Sequence, residues 1–215
     1  MTRPQVGGLY AITPEIAGTP RLITMTREIL RGGARLVQYR NKIADTSLQL
    51  EQASSLAHLC RKFGIPFIVN DHLDLAVEVD ADGVHVGQDD ASVSDARRRL
   101  GRGKIIGVSC YNRLELAVEA EREGADYVAF GAFFVSITKP GATVAPMDLL
   151  HHAKRKLHIP IVAIGGITPN NGLALIQQGA DAVAASNALF DAPNIQLAAE
   201  KFSRLFDCTP VFHSS

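Results

Sequence analysis

Apolar positions along the chain fall into two alternating patterns. Short continuous runs rich in Val and Ile recur at 8–13 (GLYAIT), 34–40 (ARLVQYR), 66–70 (PFIVN), 83–87 (GVHVG), 104–109 (KIIGVS), 126–131 (DYVAFG), 160–166 (PIVAIGG) and 181–186 (DAVAAS). Runs this short and this apolar predict strands buried on both faces. Between them the apolar residues spread to helical spacing, as in 46–63 (TSLQLEQASSLAHLCRKF) and 113–124 (RLELAVEAEREG). Eight strands alternating with helices predict an α/β chain folded as a (β/α)₈ TIM barrel, one catalytic domain over 1–215. A doubly wound open sheet is the alternative. The strand count and the lack of a GxGxxG after the first strand favour the barrel.

A weak internal repeat agrees. The pattern G-A-x-x-V occurs at Gly33–Val37, Gly124–Val128 and Gly179–Val183. Each Gly is expected to close a helix at positive φ, with the next strand following at once. No linker or low-complexity segment interrupts the chain, and 208–215 (CTPVFHSS) reads as a frayed tail.

Composition narrows the function classes. Lys+Arg and Asp+Glu both total 22, so the formal net charge is zero. That balance gives no electrostatic footprint for nucleic acid or an anionic membrane. The N-terminal stretch has no signal-type apolar core, and no apolar run approaches membrane-spanning length. Cys60, Cys110 and Cys208 are odd in number and widely spaced, which argues against a disulfide framework or a zinc site. A reducing cytoplasm is the simplest expected location. The outer helices carry no obvious interface stripe, and a homo-oligomer is left open.

In a barrel, chemistry sits at the C-terminal ends of the strands. The second strand ends VQYRNK, where Gln38, Arg40 and Lys42 alternate. Facing inward they would project cations toward an anion such as a diphosphate; facing outward they would be a solvated edge. Asn70-Asp71 ends the third strand, and Asp89-Asp90 follows the fourth. Asp71 and Asp90 can share a cation, since two carboxylates plus substrate phosphates commonly hold Mg²⁺, or each can cap the following helix. His85 reads as a satisfied core histidine. Ser109 can donate to an anion or serve as a helix N-cap, and Cys110 reads as structural. The long connection 131–146 carries Ser136, Thr138 and Lys139, a candidate lid. Gly165-Gly166 and Ala185-Ser186 end the last two strands, where TIM barrels often bind phosphate. One half of the mouth suits a metal diphosphate, the other a phosphate monoester.

The ordered set QYRNK (38–42), ND (70–71), GVHVGQDD (83–90), GVS (107–109), SITK (136–139), AIGGI (163–167) and AS (185–186) closely resembles the thiamine-phosphate synthase family. The likeness runs over about 8–190 and occupies seven of the eight strand ends. It implies an Mg²⁺-dependent condensation of hydroxymethylpyrimidine diphosphate with a thiazole phosphate, releasing diphosphate. Carried over by position, it implies that Gln38, Arg40, Lys42 and Asn70 bind the pyrimidine diphosphate. Asp71 and Asp90 would bind Mg²⁺. Ser109 and Lys139 would contact the diphosphate substrate, and Ser136 and Thr138 the thiazole phosphate. That phosphate would lie against Gly166, Ala185 and Ser186. The resemblance casts Arg40, Lys42 and Lys139 as the groups that neutralise the leaving diphosphate. Where the family commonly has Thr, this chain has Ser136. Where it commonly has Glu, this chain has Asp89, which leaves two candidates for the second metal ligand. A thiazole tautomerase on the same barrel and a non-catalytic phosphate sensor are the rival readings; both lack a use for the metal-diphosphate half.

Overall fold

The computed structural model describes residues 6–134 and 144–207. Eight parallel strands close into a barrel in chain order: β1 (Gly8–Ile12), β2 (Leu36–Tyr39), β3 (Phe67–Asn70), β4 (Gly83–Val86), β5 (Ile105–Tyr111), β6 (Tyr127–Phe130), β7 (Ile161–Ile164) and β8 (Ala182–Ala185). This is the expected (β/α)₈ architecture. The helices α1 (Thr19–Arg31), α2 (Thr46–Phe63), α3 (Leu73–Glu78), α4 (Val93–Leu100), α5 (Leu114–Arg122), α6 (Asp148–Lys154) and α7 (Gly172–Gln177) join successive strands. After β8 come a one-turn α8 (Asn187–Phe190) and α9 (Ile195–Ser203). Among the described residues no helix is long and apolar enough to cross a membrane.

Alternation along each strand divides the core in two. Leu9, Val37, Val69, Val84, Ile106, Val128, Ala163 and Val183 point outward and pack under the helices. Tyr10, Leu36, Ile68, Ile105, Tyr127, Val162 and Ala182 point inward and fill the barrel. Tyr127 spans so much of that interior that its neighbour on β5 has no side chain. A Cβ at Gly107 would lie 2.0 Å from the Tyr127 ring.

The G-A-x-x-V repeat has a structural basis, and it occurs once more than the glycines reveal. Gly33, Gly124 and Gly179 have φ of 97°, 94° and 112°. Each donates to a carbonyl three residues back, and the following Ala donates to one five residues back, the Schellman helix stop. Asp80 does the same at φ 49°, ahead of Ala81 and β4. Asp tolerates that conformation better than most residues, which is why the repeat is hidden in the sequence. The next position adds a second device. Asp82, Asp126 and Asp181 each accept, through Oδ2, the N–H at the start of the preceding strand, at 2.8 Å from Phe67, Ile106 and Ile161. These carboxylates staple adjacent strands at the N-terminal end of the barrel, leaving the C-terminal end free for other work.

Candidate active site

At the C-terminal end of the barrel the inward positions turn polar. Gln38 is inside the barrel, 3% exposed, so the outward reading of its face is excluded. The three-residue alternation holds less well than expected. β2 stops at Tyr39, and Arg40 and Lys42 lie beyond it on a loop. That loop is fixed from below. Asn41 Nδ2 donates to Gln52 Oε1 at 3.1 Å, Tyr39 Oη donates to the same oxygen, and Gln52 Nε2 donates to the Ile16 carbonyl. Asn41 and Gln52 are both buried. Thr13 Oγ1 accepts the Arg40 N–H at 2.9 Å.

Each cation on this loop has a carboxylate partner. Arg40 Nη1 lies 2.9 Å from Glu15 Oε1, and Lys42 Nζ lies 2.8 Å from Asp71 Oδ2. Sequence reasoning missed Glu15; its only signal is its place in the ITPE segment just past β1. Both pairs are partly exposed and hold the groups in place weakly, so an incoming anion can take the cations over.

Neither Asp71 nor Asp90 caps a helix. The cap positions of α3 and α4 belong to His72 and Ser92, and Ser92 does accept from Asp95 N–H. Asp71 instead occupies the left-handed region at φ 61°, its N–H donating to the His85 carbonyl at 2.8 Å. A non-glycine residue there costs energy, and such strain gathers at functional positions. Asp90 Oδ2 accepts the Gly87 N–H at 2.7 Å, and its carboxyl lies within hydrogen-bond reach of Asp71. Asp89 and Asp90 are both exposed, and the interactions with the Gly87 N–H and with Asp71 are those of Asp90. Partial burial raises the Asp71 pKa, but the Lys42 ammonium and the Asp90 hydrogen bond outweigh it and leave Asp71 below the usual carboxylate range. Burial and the adjacent Asp71 push Asp90 up, against the Gly87 N–H. Two neighbouring carboxylates that shift each other's titration form the kind of pair that a small divalent cation relieves. Among the described residues no group of three or more His, Cys, Asp and Glu could hold a metal. A two-carboxylate site completed by substrate phosphates is the mode that Mg²⁺ commonly takes.

Ser109 is inside β5, and the cap position of α5 is Arg113, so the N-cap alternative is excluded. Its oxygen lies 2.8 Å from His85 Nε2, and His85 Nδ1 lies 2.9 Å from Tyr127 Oη. Tyr127 Oη is 2.8 Å from Tyr10 Oη, which accepts from Gln38 Nε2 at 2.8 Å. His85 is thus buried with both nitrogens satisfied, as expected, but its partners connect two candidate site residues. Cys110 is buried, its thiol pushed up to about 12 by desolvation, which leaves it unreactive.

Burial also holds the His85 pKa down, from 6.5 to about 4, against the pull of Asp71. Between those values the unfolded chain binds a proton that the folded chain does not. This contribution to stability is therefore complete above the unfolded pKa and declines as pH falls. Between about pH 7 and about pH 5 the loss amounts to about 2 kcal/mol. Urea denaturation at the two pH values should show that excess loss in the unsubstituted chain relative to His85→Gln. Equal slopes in the two proteins would contradict it.

Across the mouth, β7 and β8 pair Ile164 with Ala184, bringing Gly165-Gly166 beside Ala185-Ser186. Gly165 has φ 100°, and a Cβ there would lie 2.3 Å from that of Ala132. Asn171 clamps the loop, donating to the Gly166 carbonyl and accepting the Thr168 N–H. Ser186 stands at the start of α8 with no side-chain cap bond. The first N–H groups of a helix lack partners within it. Ser136, Thr138 and Lys139 lie outside the described residues, as does most of the expected lid.

Both the sequence and the fold are similar to those of known proteins. Residues 9–189 match a family model described as thiamine monophosphate synthase. The chain is 59% identical over 204 residues to thiamine-phosphate synthase from Nitrosospira multiformis, covering 95% of this chain and 87% of that one. It is 57% identical over 206 residues to the enzyme of that name from Nitrosomonas eutropha, covering 96% and 97%. Among solved structures, thiamine phosphate pyrophosphorylase from Pyrococcus furiosus superposes with a TM-score of 0.83 at 35% identity, covering 93% and 95% of the two chains. A 3-hexulose-6-phosphate synthase superposes at 0.68 with 15% identity, a likeness of fold alone.

Proposed function

The chain belongs to the thiamine monophosphate synthase family, and we infer that the two halves of its mouth divide the family's reaction between them. It is a transferase of thiamine biosynthesis. It condenses 4-amino-2-methyl-5-hydroxymethylpyrimidine diphosphate with 4-methyl-5-(2-hydroxyethyl)thiazole phosphate, giving thiamine phosphate and diphosphate. The thiazole nitrogen is already a neutral nucleophile, so no strong base is needed. The difficult event is loss of diphosphate from the pyrimidine methylene. Its C–O electron pair leaves on the diphosphate while the thiazole nitrogen supplies the pair for the new C–N bond. The aminopyrimidine ring can carry the intervening positive charge, which favours a dissociative path.

The observation that carries this reading is the cluster Arg40, Lys42, Asp71 and Asp90 on neighbouring strand ends. Arg40 and Lys42 would exchange their carboxylate partners for the diphosphate and stabilise its growing charge. Asp71 and Asp90 would hold Mg²⁺, which when bound neutralises the leaving group. Gln38 and Asn70 would orient the pyrimidine from inside the barrel, and Ser109 would contact the diphosphate. Gly166, Ala185 and Ser186 would anchor the thiazole phosphate through backbone N–H groups. Ser136, Thr138 and Lys139 are assigned to the thiazole phosphate and the diphosphate by resemblance. Incubating the protein with both substrates and Mg²⁺ should yield thiamine phosphate and diphosphate in equal amounts. A tautomerase or a sensor would release no diphosphate, and that result would overturn the reading.

A further inference from the structure

The buried chain from Gln38 to Ser109 has a direction, and the direction follows from counting hydrogens. Gln38 Nε2 can only donate, so the Tyr10 oxygen accepts at 2.8 Å. A phenol has one hydrogen, and the acceptor that the Tyr10 hydrogen meets among the described residues is Tyr127 Oη. Tyr127 then passes its own hydrogen to His85 Nδ1. That nitrogen carries a lone pair, so a neutral ring has its hydrogen on Nε2. Nε2–H in turn donates to Ser109 Oγ. The Ser109 hydroxyl hydrogen is left unused by the chain. Ring packing holds the links in register: the His85 and Tyr127 rings stack at 5.5 Å, and Tyr10 meets Tyr127 edge-on at 6.0 Å.

A free serine hydroxyl rotates and can present either its hydrogen or a lone pair. Toward a phosphate oxygen only the hydrogen is favourable. We propose that His85, backed by Tyr127, Tyr10 and Gln38, is a positioning residue that fixes the Ser109 hydroxyl as a donor toward the anionic substrate in the barrel mouth. This rests on the reading that a diphosphate binds there. Gln38 thereby has a second role: the orientation of its amide sets the direction of every bond behind Ser109. The arrangement works by preorganisation, since a donor that need not reorient at the transition state is more effective there.

Nitrogen NMR on the ¹⁵N-histidine-labelled protein without substrates reads the tautomer directly, with His85→Gln assigning the resonance. The expected result is an imidazole protonated at Nε2. An Nδ1–H ring would reverse both His85 bonds, turn the Ser109 hydroxyl inward and overturn the proposal, whatever reaction the protein performs. Kinetics supply the second arm. His85→Leu should lower kcat roughly tenfold, the scale of one misdirected hydrogen bond. His85→Gln can accept from Tyr127 and donate to Ser109, and should recover most of the loss. In a Ser109→Ala background His85→Leu should have no further effect. An equal loss with and without Ser109 would show a merely structural histidine and overturn the proposal.

Discussion

Replacing Asp71 with Asn lowers kcat by on the order of 10²–10³-fold and leaves the melting temperature nearly unchanged. Asn is the informative substitution because of the backbone. Asp71 sits at φ 61°, a conformation that Asn accepts about as well as Asp. Ala at the same position would add about 1–2 kcal/mol of backbone strain and confuse loss of charge with loss of stability. The Asn variant keeps the shape and removes the charge. Its cost to folding is small because the partner, Lys42, is mostly in solvent. Its cost to catalysis is expected to be large because Asn offers no negative charge where Asp71, held below the usual carboxylate range chiefly by Lys42, would offer one to a cation. Raising Mg²⁺ should recover part of the rate. Steady-state kinetics over a range of Mg²⁺ test this, and normal activity at low Mg²⁺ would refute the metal assignment.

The largest effect on stability is expected at the opposite end of the barrel. Asp126 accepts the Ile106 N–H and is paired with Arg97, which also donates to the carbonyls of Gly101, Lys104 and Gly124. The Asp126 side chain is 7% exposed. Asp126→Ala leaves the strand N–H without its acceptor and the guanidinium without its counter-charge, and breaking such a pair from one side costs about 3–5 kcal/mol. For a chain of this length that lowers the melting temperature by roughly 10 °C. Thermal unfolding followed by circular dichroism checks it. Asp95→Ala, which removes an exposed pairing with Arg98, should barely move the transition. Asp126 lies far from the mouth, so the variant should keep near-normal kcat at temperatures where it is folded.

These two carboxylates show what a sequence can and cannot display. The barrel was readable because its strands are buried on both faces, which compresses each into a short apolar run. The helix stops were readable where glycine supplies the positive φ, at Gly33, Gly124 and Gly179, and hidden where Asp80 does the same work. The polar strand ends were readable because a core has no use for Gln38, Asn70 or Ser109. Partners that meet across the barrel were not. Tyr10 and Tyr127 are brought together only when the ring closes, and even Glu15 and Arg40 meet only through the register of β1 on β2. A tyrosine within an apolar run looks like packing until the register aims its hydroxyl at another. The exclusion of helix capping by Asp71, Asp90 and Ser109 likewise needed the observed caps. Residues 135–143 contribute only what the SITK motif suggests by resemblance.

On the proposed function, one half of the mouth would grip a diphosphate through a metal while the other would only anchor a phosphate. Calorimetric titration of inorganic diphosphate, with and without Mg²⁺, tests it most directly. Binding should be much tighter with Mg²⁺ in the unsubstituted protein, with no such gain in Asp71→Asn. Equal affinity with and without the metal, or a gain that survives the loss of Asp71, would contradict it.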